Sequence, residues 1–305
     1  MEPAPSESPS APAPPPRLVL TLFVGLALAF PLVGGAVQAL NAPLGLLWTE
    51  AFLFLGPAIL VAALYNGKPL AWLGLRSGEG GPIGWGLCLG LANYPLAGAL
   101  EALVRGAVPT WLSKAFDLGA TLQGPHGWQR VVLVAAVGLA APLGEETLFR
   151  GLIQKSLLAA SSPRRAIAVT ALLFAAIHYE PIGLLARVEL GALFGFLAYR
   201  TGSLWAAIAA HAASNLFALT LYFMSRNPTE GPPQTGQLLL LAGVGLGITA
   251  PMLAAMHRSL PPVVRVEGEW VRPAPLRRLA MGYGAAAVLS AVAIAAVALA
   301  IKPLR

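Results

Sequence analysis

Long apolar runs separated by short polar breaks dominate this chain. The first, Leu18 to Leu40, is about 23 residues long, enough to cross a bilayer as a helix. Further runs lie at 45–66, 82–104, 130–158, 165–183, 186–199, 202–225, 236–256 and 279–301. None alternates apolar and polar residues as a strand would, and an open strand in lipid leaves its backbone N–H and C=O groups unpaired. The pattern therefore predicts an all-α polytopic transmembrane bundle of 8–9 membrane helices. The run 186–199 is the shortest and is the candidate for a re-entrant segment.

The breaks have characters of their own. Residues 1–16 are Pro, Ser and Ala with two glutamates, which predicts a disordered tail. The apolar run behind it is too long for a signal-peptide core and reads as a retained helix, so 17–305 form the membrane domain. Between 105 and 129, Trp111, Phe116 and Leu118 are mixed with polar residues, as in an interfacial amphipathic segment. The stretch 257–278 is basic, contains Pro261, Pro262 and Pro273, and reads as a loop.

Composition agrees. The chain is 57% hydrophobic and only 11% charged, against about 25% charged in soluble domains. Its only cysteine is Cys88, which excludes a disulfide framework and a thiolate metal cluster. The net charge of +7 is explained by loops that meet anionic lipid. No basic cluster comes with interleaved aromatics, so nucleic acid is not an expected partner. With the N-terminus inside, Lys and Arg are richer in the inside loops, notably Lys155, Arg164 and Arg165, and the stretch 258–278. This predicts a cytoplasmic N-terminus in a bacterial inner or plasma membrane.

Against this background the stretch APLGEETLFRGLI (141–153) stands out. Charges deep in a membrane are expensive and point to function. Glu146 and Arg150 are four apart and can pair on one helix face. Glu145, rotated by about 100°, is left without a local partner and can face a cavity. A helix-end cluster snorkelling to water is the plainer alternative. Of four histidines, two lie within apolar runs. His178 follows Phe174 by one turn, and His211 precedes Asn215 by one turn. Taken singly, each histidine also fits a hydrogen-bonded packing role. His126 and His257 fall in loops and receive no role. Glu101 and Glu180 read as interfacial, Glu180 with a second possible duty toward His178.

Together, a carboxylate, two imidazoles and an amide on three helices can converge on one water. Such a set supports peptide hydrolysis. Glu145 would deprotonate the water, one histidine would orient it or bind a metal, and the remaining donors would stabilise the oxyanion. The chain has no HExxH and no GxSxG.

GEETLFRG, FAAIH and TGSLWAAIAAHAASN resemble, in order, the EExxxR, FxxxH and HxxxN motifs of the CAAX-protease and bacteriocin-processing family. This is the Rce1-like, or ABI, group of intramembrane endopeptidases. The resemblance covers about 130–220. It implies that Glu145, with His178, activates water and that His211 and Asn215 form the oxyanion site. Glu146, Arg150 and Phe174 become structural or substrate-orienting. The family is filed under metalloproteases, so Glu145, His178 and His211 are candidate Zn2+ ligands, a His₂Glu set. Metal-bound and metal-free water both stay open, and no organic cofactor is expected. The implied substrate is a membrane-associated peptide or protein, either a prenylated CaaX tail or a peptide precursor. Two rivals are an ion-coupled transporter and a non-catalytic scaffold such as an immunity partner.

Overall fold

A computed structural model of the chain describes residues 13–75, 80–117, 119–224, 234–260 and 276–301. Among them there is no strand. Helix α1 is Pro16–Leu40 and α2 is Ala42–Tyr65. Short α3 (Pro69–Leu73) leads to α4 (Gly80–Ala107). Two more short helices, α5 (Thr110–Ala115) and α6 (Gly119–Gln123), precede α7 (Trp128–Leu158). Then come α8 (Pro163–Ala176), α9 (Leu184–Thr201), α10 (Leu204–Met224), α11 (Thr235–Ser259) and α12 (Leu276–Ile301).

Among the described residues, seven helices are long and apolar enough to cross a membrane: α1, α2, α4, α7, α10, α11 and the Met281–Leu299 part of α12. The protein is an integral, multi-pass membrane protein. Helices α8 and α9, also predicted as spans, fall short for different reasons. α8 has 14 residues. α9 has 18, but Arg187, Glu189 and Arg200 interrupt its apolar character. The shortest of the nine is thus 163–176 and not the 186–199 run. The pattern carried α8 to 183, but the chain leaves the helix after Ala176. Pro181 lacks a backbone N–H and disfavours helical geometry at Glu180, and Tyr179 turns the chain with φ of 53°.

Other breaks also differ in detail. Residues 1–12 and 261–275 lie outside the described residues. Pro14 is buried, and its carbonyl accepts from Ser156 Oγ at 2.5 Å. His257 sits in the last turn of α11 and not in a loop, and its Nδ1 accepts from Arg200 Nε at 2.8 Å. Trp111, in the expected interfacial segment, is exposed.

The long helices are irregular where the sequence requires it. π-helical turns occupy Phe30–Gly34, Glu50–Leu55, Ala136–Ala140 and Thr147–Gln154. The first three contain or directly precede Pro31, Pro57 and Pro142. Proline crowds the carbonyl four residues earlier, and a wider turn relieves that clash. The fourth has no proline and carries Arg150.

Small residues then set the helix spacing. A Cβ on Gly86 or Gly90 of α4 would lie 2.2 Å from the Ala206 or Ala210 carbonyl oxygen of α10. Ser214 Oγ donates to the Gly90 carbonyl across the same contact at 3.0 Å. This close small-residue contact places α10, and with it His211. A Cβ on Gly191 of α9 would likewise meet Ala171 Cα of α8 at 3.0 Å.

Candidate active site

α7 brings its charges into the centre of the bundle. Glu146 and Arg150 both have fully buried side chains, and Arg150 Nη1 donates to Glu146 Oε1 at 2.8 Å. The snorkelling alternative is therefore excluded, because neither group reaches water. Arg150 Nη2 donates to the Gly191 carbonyl at 2.9 Å. One turn later, Gln154 Nε2 donates to the Gly195 carbonyl, also at 2.9 Å. Two side chains four apart on α7 thus hold two glycine carbonyls four apart on α9. The guanidinium also lies over the Phe174 ring, 4.4 Å from its centroid. A charge-assisted pair and a cation–π contact together make this arginine tolerable in the interior.

Both histidines are fixed through Nδ1. His178 Nδ1 lies 2.8 Å from the Phe174 carbonyl, which can only accept, so Nδ1 carries a proton. His211 Nδ1 lies 2.9 Å from Glu146 Oε1, the same oxygen that accepts from Arg150. Nδ1 of His211 is therefore also the donor. In consequence each ring presents Nε2 elsewhere, and both Nε2 atoms face Glu145. His178 Nε2 is 4.0 Å from Glu145 Oε1, and His211 Nε2 is 3.9 Å from Glu145 Oε2. Both gaps exceed hydrogen-bond length. Glu145 Oε2 is buried and has no hydrogen-bond partner.

Aromatic rings hold the imidazoles in place. Phe174 meets His178 and His211 edge to face, at 5.1 and 5.8 Å between centroids. Phe194 of α9 stacks on His211 at 5.0 Å. Glu145, Glu146, Arg150, Phe174, His178 and His211 are thus one cluster. Asn215 is placed differently. It lies one turn beyond His211, and its Nδ2 donates to the Val137 carbonyl of α7 at 2.8 Å.

Several polar residues escaped the sequence reading. Glu50 of α2 is buried, its Oε2 has no partner, and it packs against Gly144. A Cβ at Gly144 would lie 2.8 Å from that oxygen, and Glu50 interacts electrostatically with Glu145. Its signal was present as a lone acid in an apolar run, the rule that singled out Glu145. Glu189 accepts from Asn93 Nδ2 at 2.8 Å between α9 and α4. Glu180 binds Arg187 Nη1 at 2.5 Å and accepts from the Ile182 and Gly183 N–H groups. These bonds go to its own loop and to α9, so they steady that loop, and none of them goes to His178.

For zinc, the donor types fit and the spacing does not. Two Nε2 atoms and a carboxylate are a known donor set. Donors around tetrahedral zinc stand roughly 3.3 Å apart for bonds of 2.0–2.1 Å, closer than the 3.9 and 4.0 Å found here. Among the described residues, no group of three His, Cys, Asp or Glu side chains is arranged to hold a metal ion.

Residues 127–217 match the family model described as Type II CAAX prenyl endopeptidase Rce1-like. This segment is Rce1-like. The match contains Glu145, His178, His211 and Asn215. No curated protein and no solved structure matches the chain. The Rce1-like match implies a protease of the CAAX type working within a membrane. α1 to α6, α11 and α12 lie outside the Rce1-like segment.

Proposed function

We propose that the protein is an intramembrane endopeptidase that hydrolyses a peptide bond in a membrane-associated peptide or protein. The observation that carries this reading is Glu145, set between two imidazoles whose Nε2 atoms both face it. A water between Glu145 and His178 gives a proton to the Glu145 carboxylate while its oxygen attacks the substrate carbonyl. His211 Nε2, when that ring carries both protons, donates to the oxyanion, with an Asn215 N–H as the second donor. Collapse breaks the C–N bond, and Glu145 returns the proton to the departing amine. Glu146 orients His211, and Arg150 neutralises Glu146.

The steps are assigned to protein side chains alone because the three donors do not close on a metal ion. A prenylated CaaX tail and a peptide precursor are the two substrate classes we propose. The Lys and Arg bias supports a cytoplasmic N-terminus in a bacterial inner or plasma membrane.

The test compares new peptide termini in membranes from cells carrying wild type or Glu145→Ala. Termini present only with intact Glu145 establish proteolysis and name a substrate. Identical termini, with both proteins folded and expressed, would sink the reading.

A further inference from the structure

The cluster opens on one side. Side-chain exposure falls from 25% at His178 to 11% at Glu145 and 8% at His211, and reaches 0% at Glu146 and Arg150. His178 is thus the most exposed of these five residues and marks the mouth of the site. The next residue along the chain is Tyr179, half of whose surface is exposed.

Tyr179 is unusual in two ways. Among the described residues it is the one non-glycine residue with positive φ, at 53°. A bulky side chain is strained in that conformation, so the surroundings must hold it. They do so through α1. The Tyr179 hydroxyl donates to the Ala27 carbonyl at 2.5 Å, and its ring stacks on Phe30 at 6.5 Å and 14°. Phe30 in turn packs on Phe54 of α2 at 5.7 Å. It also begins the π-helical turn Phe30–Gly34, where α1 departs from a regular helix.

The loop that follows α8 is therefore held from two sides. Toward α9, Glu180 binds Arg187 and the Ile182 and Gly183 N–H groups. Toward α1, Tyr179 reaches across. α1 is less enclosed than α7 or α10, and Val24, Leu28, Leu32 and Val33 are exposed along it. A gap between α1 and this loop would open sideways, toward lipid.

We propose that Tyr179 is a specificity-determining residue. Its contact with Ala27 and Phe30 closes the His178 side of the site toward the membrane. A substrate segment held in the membrane has to part this contact to reach Glu145, and a short peptide arriving from water does not. This inference rests on the hydrolytic reading above.

The first test needs no substrate. With Cys88→Ser, a His178→Cys variant carries a single thiol at the mouth of the site. Adding Tyr179→Phe removes the hydroxyl and keeps the ring. N-ethylmaleimide, which partitions into lipid, then labels the thiol about fivefold faster, the effect of losing one hydrogen bond. A charged, water-soluble thiol reagent labels at an unchanged rate. Unchanged labelling by both reagents overturns the proposal.

The second test uses a farnesylated CaaX peptide in vesicles and the same peptide without its lipid. Tyr179→Phe raises kcat/KM about fivefold on the first through a lower KM, and leaves the second unchanged. An equal fall in kcat on both would show that Tyr179 only positions His178, and would overturn the proposal. Cleavage of neither peptide by the wild type counts against the CaaX reading, and the labelling result still decides the role of Tyr179. Should Tyr179→Phe fail to accumulate, Tyr179→Asn removes the same contact and is at ease with positive φ.

Discussion

Glu145 and Glu146 are neighbours on α7, yet they belong to two differently built halves of one cluster. Around Glu146, a single oxygen accepts from both Arg150 and His211, and the guanidinium is further held by Gly191 and Phe174. Around Glu145, two nitrogen atoms stand about 4 Å away and one carboxylate oxygen has no partner. The first half is charge-paired, so its charges serve the fold, although Glu146 Oε2 and Arg150 Nε also lack a hydrogen-bond partner. In the second half no side chain closes to hydrogen-bond distance on the carboxylate, so it is free to handle a proton. Burial alone does not separate the two glutamates; the partners do.

This contrast is breakable, and the largest effect falls on the Glu145 half. Glu145→Gln should lower cleavage by roughly 10²–10⁴-fold, the range for a lost general base, while thermal unfolding in detergent stays put. His178→Ala should behave alike. Normal turnover by either variant would remove that half from the mechanism. On the Glu146 side, Arg150→Ala leaves a buried carboxylate without its cation and should cost about 3–5 kcal/mol of stability. A wild-type unfolding profile would mean that water reaches the pair.

Smaller effects test how the halves are brought together. Gly90→Ala places a Cβ 2.2 Å from the Ala210 carbonyl oxygen. It should cost about 1–3 kcal/mol and lower activity by shifting α10 and His211. Asn215→Ala loses one bond to α7, worth about 1 kcal/mol in an unfolding measurement. A fall in kcat well beyond that loss would show the amide acting on the oxyanion as well. The smallest effect expected is from metal removal. Cleavage should persist once metal analysis confirms that zinc is gone, and loss restored by added zinc would show that the three donors close on a metal after all.

Much of this was legible in the residues. Among the described residues, the runs located the seven helices long enough to cross a membrane and the shorter α8 and α9, because apolar length is a local property. Glu146 and Arg150 pair as their four-residue spacing predicts, since a helix puts those positions on one face. What escaped was set by partners distant in sequence. Glu50 is on α2 and Glu145 on α7, with α3 to α6 between them, and nothing in TEAFLFLGP tells which helix it will face. Phe194 carries no signal of its own in the sequence, and the fold stacks it on His211. The end of α8 was missed because apolar residues continue through Ile177, while the turn is made by Tyr179 and Pro181.

By itself the sequence determined that this chain lives in a membrane as helices, and that a few ionisable side chains are buried there at a cost only function or pairing can explain. Three short motifs already pointed to water chemistry. Only the tertiary structure decided which charges are neutralised and which stay open. Hydropathy and helical period act within one helix. The tautomer of His211, the second donor to Glu146 and the contact of Tyr179 with α1 each require an atom from elsewhere in the chain. They exist only once glycine and alanine faces let those helices approach closely enough to touch.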